Sequence, residues 1–246
     1  MEKEEKEEKE REEKEMISST FKRDPKMAAL FKKKRYTVNK VIGHGTYGQV
    51  FKGMRKDTGQ EVAIKVVYLD QLGPIFREKY LPQEMAALMN TQHEYIVRTL
   101  DILRADQKLF IFMEFCPKGT LSSFLIGIGV PIGEKLPNFW AVQITSALCH
   151  LHHRLRMAHR DIKLENVHLD RNYDTKLADF GFAKETWDSK RHCIVLSNTV
   201  CGTLAYFSPQ LLQSMPYNAF AADAWAMGVL LFVMLNLRFP FSQCAP

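Results

Sequence analysis

The sequence contains no CxxC pair and no cysteine–histidine spacing of a structural zinc site. Its five cysteines, Cys116, Cys149, Cys193, Cys201 and Cys244, stand apart in 246 residues. A disulfide-stapled secreted fold and a zinc module are therefore excluded, and the cysteines read as reduced thiols in a cytoplasmic protein. No apolar stretch follows Met1, so no secretory signal is expected. The longest greasy run, Gly228 to Leu237, falls short of the ~20 residues a bilayer crossing takes, so no membrane span is expected either. Glycine (13) and proline (10) are too few for a collagen-like or mucin-like chain, and no internal repeat is visible.

What is present is an ordinary globular composition, 46% hydrophobic and 11% aromatic, with a formal charge of +6. That length gives one or two domains and core enough to fold. The charge is segregated. Residues 1–15 hold nine Glu against five Lys/Arg, and residues 16–35 hold seven Lys/Arg against the single acid Asp24. The first stretch sets Glu2/Lys6, Glu5/Lys9, Glu7/Arg11 and Glu10/Lys14 in the favourable i, i+4 order, yet it has no apolar face to pack. Residues 1–35 are thus expected to be a charged, low-complexity tail, with Lys32 to Arg35 solvated. The small surplus left on the body, where both signs are mixed, does not call for nucleic acid.

From Tyr36 the pattern turns to short β-rich runs, Tyr36 to Ile42, Gln49 to Met54 and Glu61 to Tyr68, separated by glycine-bearing turns. A helix is expected over Glu78 to Asn90, followed by strands over Val97 to Leu103 and Leu109 to Phe115. Beyond Pro117 the period becomes helical. Trp140, Ile144, Leu148, Leu151 and Leu155 recur at spacings of 4, 4, 3 and 4, short strands fit Val167 to Leu169 and Lys176 to Ala178, and a second helix covers Ala221 to Leu237.

Four motifs carry chemistry. Gly43-His44-Gly45-Thr46-Tyr47-Gly48-Gln49-Val50 is a glycine flap between two strands, where missing Cβ atoms let backbone N–H groups approach phosphates. Lys65 closes Val62-Ala63-Ile64-Lys65 seventeen residues after Gly48. It is either a strand-end lysine snorkelling to water or a fixed cation beneath the flap. Glu84 is the best-placed acid to hold such a cation. The third motif is His159-Arg160-Asp161-Ile162-Lys163-Leu164-Glu165-Asn166, and the fourth, Asp179-Phe180-Gly181, begins thirteen residues beyond Asn166. His150, His152 and His153 crowd one helix, but no third donor is evident, and they read as boundary histidines.

Together, in this order and spacing, these motifs resemble the protein kinases. The resemblance implies an α+β, bilobal kinase fold over residues 36–246: a small antiparallel β lobe with one main helix (36–117) and a mostly helical large lobe (118–246). It implies ATP and Mg2+ as cofactors. Asp161 would orient the substrate hydroxyl and accept its proton, Lys163 would steady the transferred group, and Asn166 and Asp179 would hold the metal ions. Ile42, Gly43, Gly45, Gly48, Val50, Ala63, Lys65 and Glu84 would form the nucleotide site with Met113 as gatekeeper and Glu114 to Cys116 as hinge. Lys163 together with Thr203 is the pattern of the serine/threonine branch. The implied activity is ATP-dependent phosphorylation of Ser or Thr hydroxyls on proteins. Thr199 is the expected site of an upstream kinase, with Ser197 as runner-up, and Glu165 implies a mild preference for basic substrates.

Leu81-Pro82-Gln83-Glu84-Met85, Asp179 to Lys184, Leu196 to Gly202 and Leu211 to Tyr217 sharpen the resemblance to the testis-specific serine/threonine kinases, near the calcium/calmodulin-dependent group. Three features depart from it. Ser208-Pro209-Gln210 replaces the usual Ala-Pro-Glu, Thr120 replaces an acid, and the chain stops at Pro246, so the last helices of a large lobe are expected to be missing. That leaves two alternatives to weigh, an active kinase and a catalytically weak scaffold. It also leads to the expectation that the apolar helix near Ala221 to Leu237 attracts a chaperone.

Overall fold

The computed structural model describes residues 25–45, 48–73 and 91–241, together with residues 77, 81, 85, 88 and 89. The chain divides into two compact units. One comprises Met1–Pro74 and Thr99–Phe115, the other Ile75–Arg98 and Cys116–Pro246. The expected small-lobe helix thus falls within the second unit, and of its residues 81, 85, 88 and 89 are seen in helical conformation.

The first unit is a five-stranded antiparallel sheet in the order β1-β2-β3-β5-β4. Its strands are β1 (Tyr36–Gly45), β2 (Gly48–Arg55), β3 (Gln60–Tyr68), β4 (Thr99–Ala105) and β5 (Lys108–Glu114). Alternation along β3 buries Val62, Ile64 and Val66, while Ala63 and Lys65 point the other way. Register aligns Phe51, Ile64 and Phe112 across three strands, and all three are fully buried.

What covers that row corrects the expectation of a tail through residue 35. Pro25–Lys34 forms a helix, α1, whose Phe31 is buried against the sheet, with its ring 5.3 Å from that of Phe110 and 5.4 Å from that of Phe112. Leu30 packs beside it. The cationic surplus had masked this apolar pair, of which Phe31, the buried member, contributes about 1.5–3 kcal/mol. Lys32, Lys33, Lys34 and Arg35 are exposed as expected, although Lys34 Nζ pairs with Asp101 Oδ2 at 2.8 Å. Residues 1–24 lie outside the described part of the chain.

In the second unit, α2 (Leu121–Ile128) is opened by Thr120. The Thr120 hydroxyl accepts the Ser123 N–H at 3.1 Å, and Ser123 Oγ accepts the Thr120 N–H at 3.1 Å, a reciprocal cap. A hydroxyl at position 120 therefore has a local structural task. Helix α3 (Lys135–Cys149) buries Trp140, Ile144 and Leu148, and then widens into a π-turn over His150–Arg154 instead of running on to Leu155. A short segment, α4 (Pro209–Leu212), precedes α5 (Ala219–Asn236), which is capped by Asn218. At 18 residues α5 is long and apolar enough to cross a membrane, contrary to the count from Gly228. Its buried face, however, includes Asp223, which is hydrogen-bonded within the unit as the core helix of a folded domain would be. Small two-stranded pairs complete this unit: β6 (Met157–Ala158) with β9 (Lys184–Glu185), β7 (Val167–Leu169) with β8 (Thr175–Leu177), and β10 (Trp187–Asp188) with β11 (Cys193–Ile194).

Candidate active site

In the first unit, sheet register gathers the expected nucleotide residues. Gly43 pairs with Val50, Val50 with Lys65 and Lys65 with Ile111, while Ala63 pairs with Met113. Directly opposed residues of an antiparallel pair share a face, so Gly43, Val50, Ala63, Lys65 and Met113 lie on the face opposite the α1-covered core. Ile42 is the outlier, exposed at 40% and outside the strand register, at the irregularity between Val41 and Gly43. The glycines serve different purposes. A Cβ on Gly48 would collide with the Val66 carbonyl of β3, so this glycine is demanded by strand packing. One on Gly43 would make ordinary contacts with Val50, which leaves Gly43 open to a phosphate role. Glu114 ends β5, and Cys116, buried, begins the second segment of the second unit. Thr46, Tyr47 and Glu84, the acid expected to hold Lys65, lie outside the described residues.

The second unit assembles the polar centre in one loop. Asp161 accepts from Lys163 Nζ at 2.9 Å and from Asn166 Nδ2 at 3.0 Å through Oδ2, and from the Thr203 hydroxyl at 2.8 Å through Oδ1. Lys163 also donates to Thr203 Oγ1 at 2.8 Å. Asn166 Nδ2 reaches the Asp161 carbonyl at 2.8 Å as well, which leaves its Oδ1 available to another group. Asp161 and Asn166 are both more than nine-tenths buried. His159 supports the loop through both ring nitrogens: Nδ1 accepts the Asp161 N–H at 3.3 Å, and Nε2 lies 3.1 Å from the Ala178 carbonyl. Tyr206 closes the loop from below, where its hydroxyl accepts the Leu164 N–H at 3.4 Å. Burial pushes its pKa up to about 12, so it remains a phenol at any working pH.

Two residues here hold left-handed backbone without being glycine, Arg160 (φ 66°) and Asp179 (φ 63°). Such conformations persist where surrounding bonds over-determine them. Asp223 does so for Arg160: Oδ1 accepts its N–H at 2.8 Å, while Oδ2 accepts the His159 N–H, also at 2.8 Å. Neither Asp223 nor its further partner His152 was singled out as functional from sequence. The available signal was a lone acid in an otherwise apolar helix, Ala221-Ala222-Asp223-Ala224-Trp225. His168, in β7 two residues after Asn166, has its pKa lowered by burial, partly offset by the nearby Asp179.

The activation segment places its two expected hydroxyls differently. Ser197 is fully buried and its backbone pairs with Tyr217, so it is out of an enzyme's reach in this conformation. Thr199 is half-exposed, and its carbonyl accepts the Tyr217 hydroxyl at 2.9 Å. Arg160 uses Nε on the Phe182 carbonyl at 2.6 Å, while its buried terminal nitrogens have no hydrogen-bond partner. Its charge lies near Cys201 and Tyr217, where it opposes the upward push of burial on both. A buried guanidinium with unused donors is a ready anion site.

Among the described residues no group of three His, Cys, Asp or Glu side chains forms a metal cage. Asn166 and Asp179 supply a sparse oxygen-donor set instead. That suits Mg2+, which keeps waters and takes its remaining ligands from phosphates, and it does not suit zinc.

Residues 36–245 match the protein kinase domain family. The testis-specific serine/threonine-protein kinase 4 of Homo sapiens is 31% identical over 219 residues, which cover 85% of this chain and 66% of that protein. For testis-specific serine/threonine-protein kinase 2 of Mus musculus the figures are 34% over 217 residues, 88% and 60%. For testis-specific serine/threonine-protein kinase 3 of Homo sapiens they are 36% over 211 residues, 85% and 76%. The chain thus spans less than two thirds of the first two relatives.

Proposed function

This chain belongs to the protein kinase domain family, and from that premise we propose that it transfers the γ-phosphoryl group of ATP to serine or threonine hydroxyls of protein substrates. The observation that carries the reading is the hydrogen-bonded set Asp161, Lys163, Asn166 and Thr203, which holds an acid, a cation and an amide against one another and leaves Asn166 Oδ1 open to a further group. Phosphoryl transfer asks for charge neutralisation and in-line placement, and these residues are of the types that supply both. Asn166 and Asp179 would hold Mg2+, which would neutralise phosphate charge there. Asp161 orients the acceptor hydroxyl and takes its proton. Lys163 brings a cation beside the accepting oxygen, and Lys65, on the sheet face shared with Gly43 and Val50, holds phosphate oxygens. Completeness of this set favours turnover over the scaffold alternative.

Two finer features belong to the same proposal. Phosphorylation of Thr199 by an upstream kinase would give the unused donors of Arg160 a dianion to bind. Glu165, exposed and 3.4 Å from Ser122 Oγ, favours a basic residue in the substrate, mildly, because Thr120 is spent on capping α2. The test is transfer of radiolabel from ATP to a basic Ser/Thr peptide by the full chain and by Asp161→Asn. Loss of about 100-fold or more is expected in the variant. Equal incorporation would overturn the reading.

A further inference from the structure

A cavity of about 430 Å³ lies apart from the catalytic centre, wholly within the first unit, and is lined by Phe31, Lys32, Arg35, Tyr36, Lys56 and Asp57. Its floor is aromatic, because Phe31 and Tyr36 are both buried and the Tyr36 ring stacks on that of Phe112 at 4.1 Å. Its rim is cationic. Arg35 follows α1 in left-handed backbone (φ 60°), and its carbonyl accepts the Lys56 N–H at 2.7 Å, which sets these two exposed residues beside each other. Lys32 stands one turn earlier, its carbonyl accepting the Arg35 N–H at 3.2 Å. The negative end of a helix attracts cations and so accounts for the lysines in the last turn of α1, but not for Lys56, which comes from the turn between β2 and β3. Nearby cations find acids: Lys34 pairs with Asp101, Lys52 with Glu61 and Arg55 with Asp57. Asp57, the one acid on the rim, is thereby engaged. Among the described residues no carboxylate pairs with Lys32, Arg35 or Lys56.

We propose that the occupant of this cavity is the chain's own glutamate-rich run, residues 1–15, which docks on the cationic rim and clamps α1 onto the sheet. The run carries nine Glu against five Lys/Arg. In the i, i+4 order Glu2, Glu5, Glu7 and Glu10 are matched by Lys6, Lys9, Arg11 and Lys14. Glu4, Glu8, Glu12 and Glu15 are left over, and their spacings of 4, 4 and 3 set them on one face in helical register, a carboxylate stripe without cations of its own. The tether is long enough. Residues 16–24 reach roughly 30 Å when extended, whereas the ten residues of α1 rise only about 15 Å, so the run can return along α1 to Lys32, Arg35 and Lys56. Tethering also gives it a high effective concentration against free anions. Each exposed ion pair is weak by itself, so the contact rests on several at once and is screened by salt.

Carbodiimide joins a carboxylate to an amine only where the two touch, and the full chain supplies both. We expect amide cross-links from Lys56 to glutamates of residues 1–15 to be about 5-fold more frequent at low salt than those from Lys40, an exposed lysine of β1. They should fall to the Lys40 level near 1 M salt, where the screening length shrinks to about 3 Å. The same fall is expected in K32Q/R35Q, which keeps the reporter lysine and weakens the rim. The second readout is amide exchange in α1, referenced to global unfolding. It should be about 5-fold faster in K32Q/R35Q, in E4Q/E8Q/E12Q/E15Q and in the two combined, since one contact can be lost only once. Neither readout depends on phosphoryl transfer, so the test stands apart from the proposed kinase activity. The proposal is overturned if Lys56 links no more often than Lys40, if the cross-links occur only in covalent dimers, or if the effects of the two variants on exchange multiply. Faster exchange in K32Q/R35Q without any change in E4Q/E8Q/E12Q/E15Q would give the cavity to an anion from outside the chain and overturn it as well.

Discussion

Thr203 donates its hydroxyl hydrogen to Asp161 Oδ1 at 2.8 Å and so ties the end of the activation segment to the catalytic loop. The Thr203 hydroxyl oxygen accepts from Lys163 at 2.8 Å, and Lys163 in turn reaches Asp161 Oδ2 at 2.9 Å. Three side chains from two segments thus brace one another. Asp161 has its rotamer fixed from both sides, and a displacement of the activation segment must disturb this carboxylate, the proposed acceptor of the substrate proton.

Thr203→Val keeps the volume and removes the bridge. The expected result is a fall in kcat of roughly 10- to 100-fold with a melting temperature within about 2 °C, since the contact orients a reacting group more than it holds the fold. Thr203→Ser should retain most of the rate. Steady-state kinetics beside a thermal melt decide it, and a Val variant as active as the original would show the bridge to be incidental.

Lys65→Met tests the sheet face on which Gly43, Val50 and Met113 also lie. Removing the cation proposed to hold phosphate oxygens should cost about 100-fold or more in kcat/KM. The fold should hold, because Lys65 points away from the core formed by Val62, Ile64 and Val66. If the melt were lost together with the activity, Lys65 would be a structural residue instead.

Arg160 and Thr199 make a pair of predictions with opposite controls. After incubation with an upstream kinase, the original chain should gain activity and Thr199→Ala should not. Arg160→Gln, which loses the unused donors, should accept phosphate at Thr199 without the gain. Mass spectrometry of residue 199 alongside the activity assay separates the two steps. Ser197 should carry no phosphate while the protein stays folded, because it is fully buried.

Much of the molecule was legible in the sequence, because strand alternation and helical periodicity are written in apolar residues. The five strands appear within a few residues of their expected places, and Asp161, Lys163 and Asn166 converge as their motif implies. Two features were hidden for physical reasons. In α1 the burial of Leu30 and Phe31 is a tertiary fact, invisible where charge dominates the composition. The π-turn at His150–Arg154 is a one-residue irregularity that leaves the spacing of Leu148, Leu151 and Leu155 looking helical, although it decides that His152 meets Asp223.

Phe31→Ala measures how far α1 belongs to the fold. Phe31 touches Phe110 and Phe112, both fully buried, and its removal should cost about 3 kcal/mol, less if the helix swings away and the sheet face is left to water. A chemical denaturation curve should shift to lower denaturant, and binding of a hydrophobic dye should rise. An unchanged midpoint would mean that the sheet folds without its N-terminal helix.

Acid stability should depend on His93. Its Nδ1 accepts the Tyr95 N–H at 3.1 Å, its Nε2 lies 3.2 Å from Ser146 Oγ, and its ring stands 5.0 Å from that of His150, with Glu94 and Lys176 also nearby. Burial first, then His150, lower its pKa below the ordinary histidine value, and Glu94 only partly opposes them. With the folded value depressed, the unfolded chain binds more protons at mildly acidic pH, so stability rises with pH and is lost as pH falls from about 6.5 toward the folded value. Charging the ring would also cancel its role as acceptor for Tyr95. His93→Asn keeps an acceptor near the Nδ1 position and cannot titrate. The melting temperature of the original chain should therefore drop more steeply than that of His93→Asn between about pH 6.5 and 5. Parallel curves for the two proteins would place the acid sensitivity elsewhere.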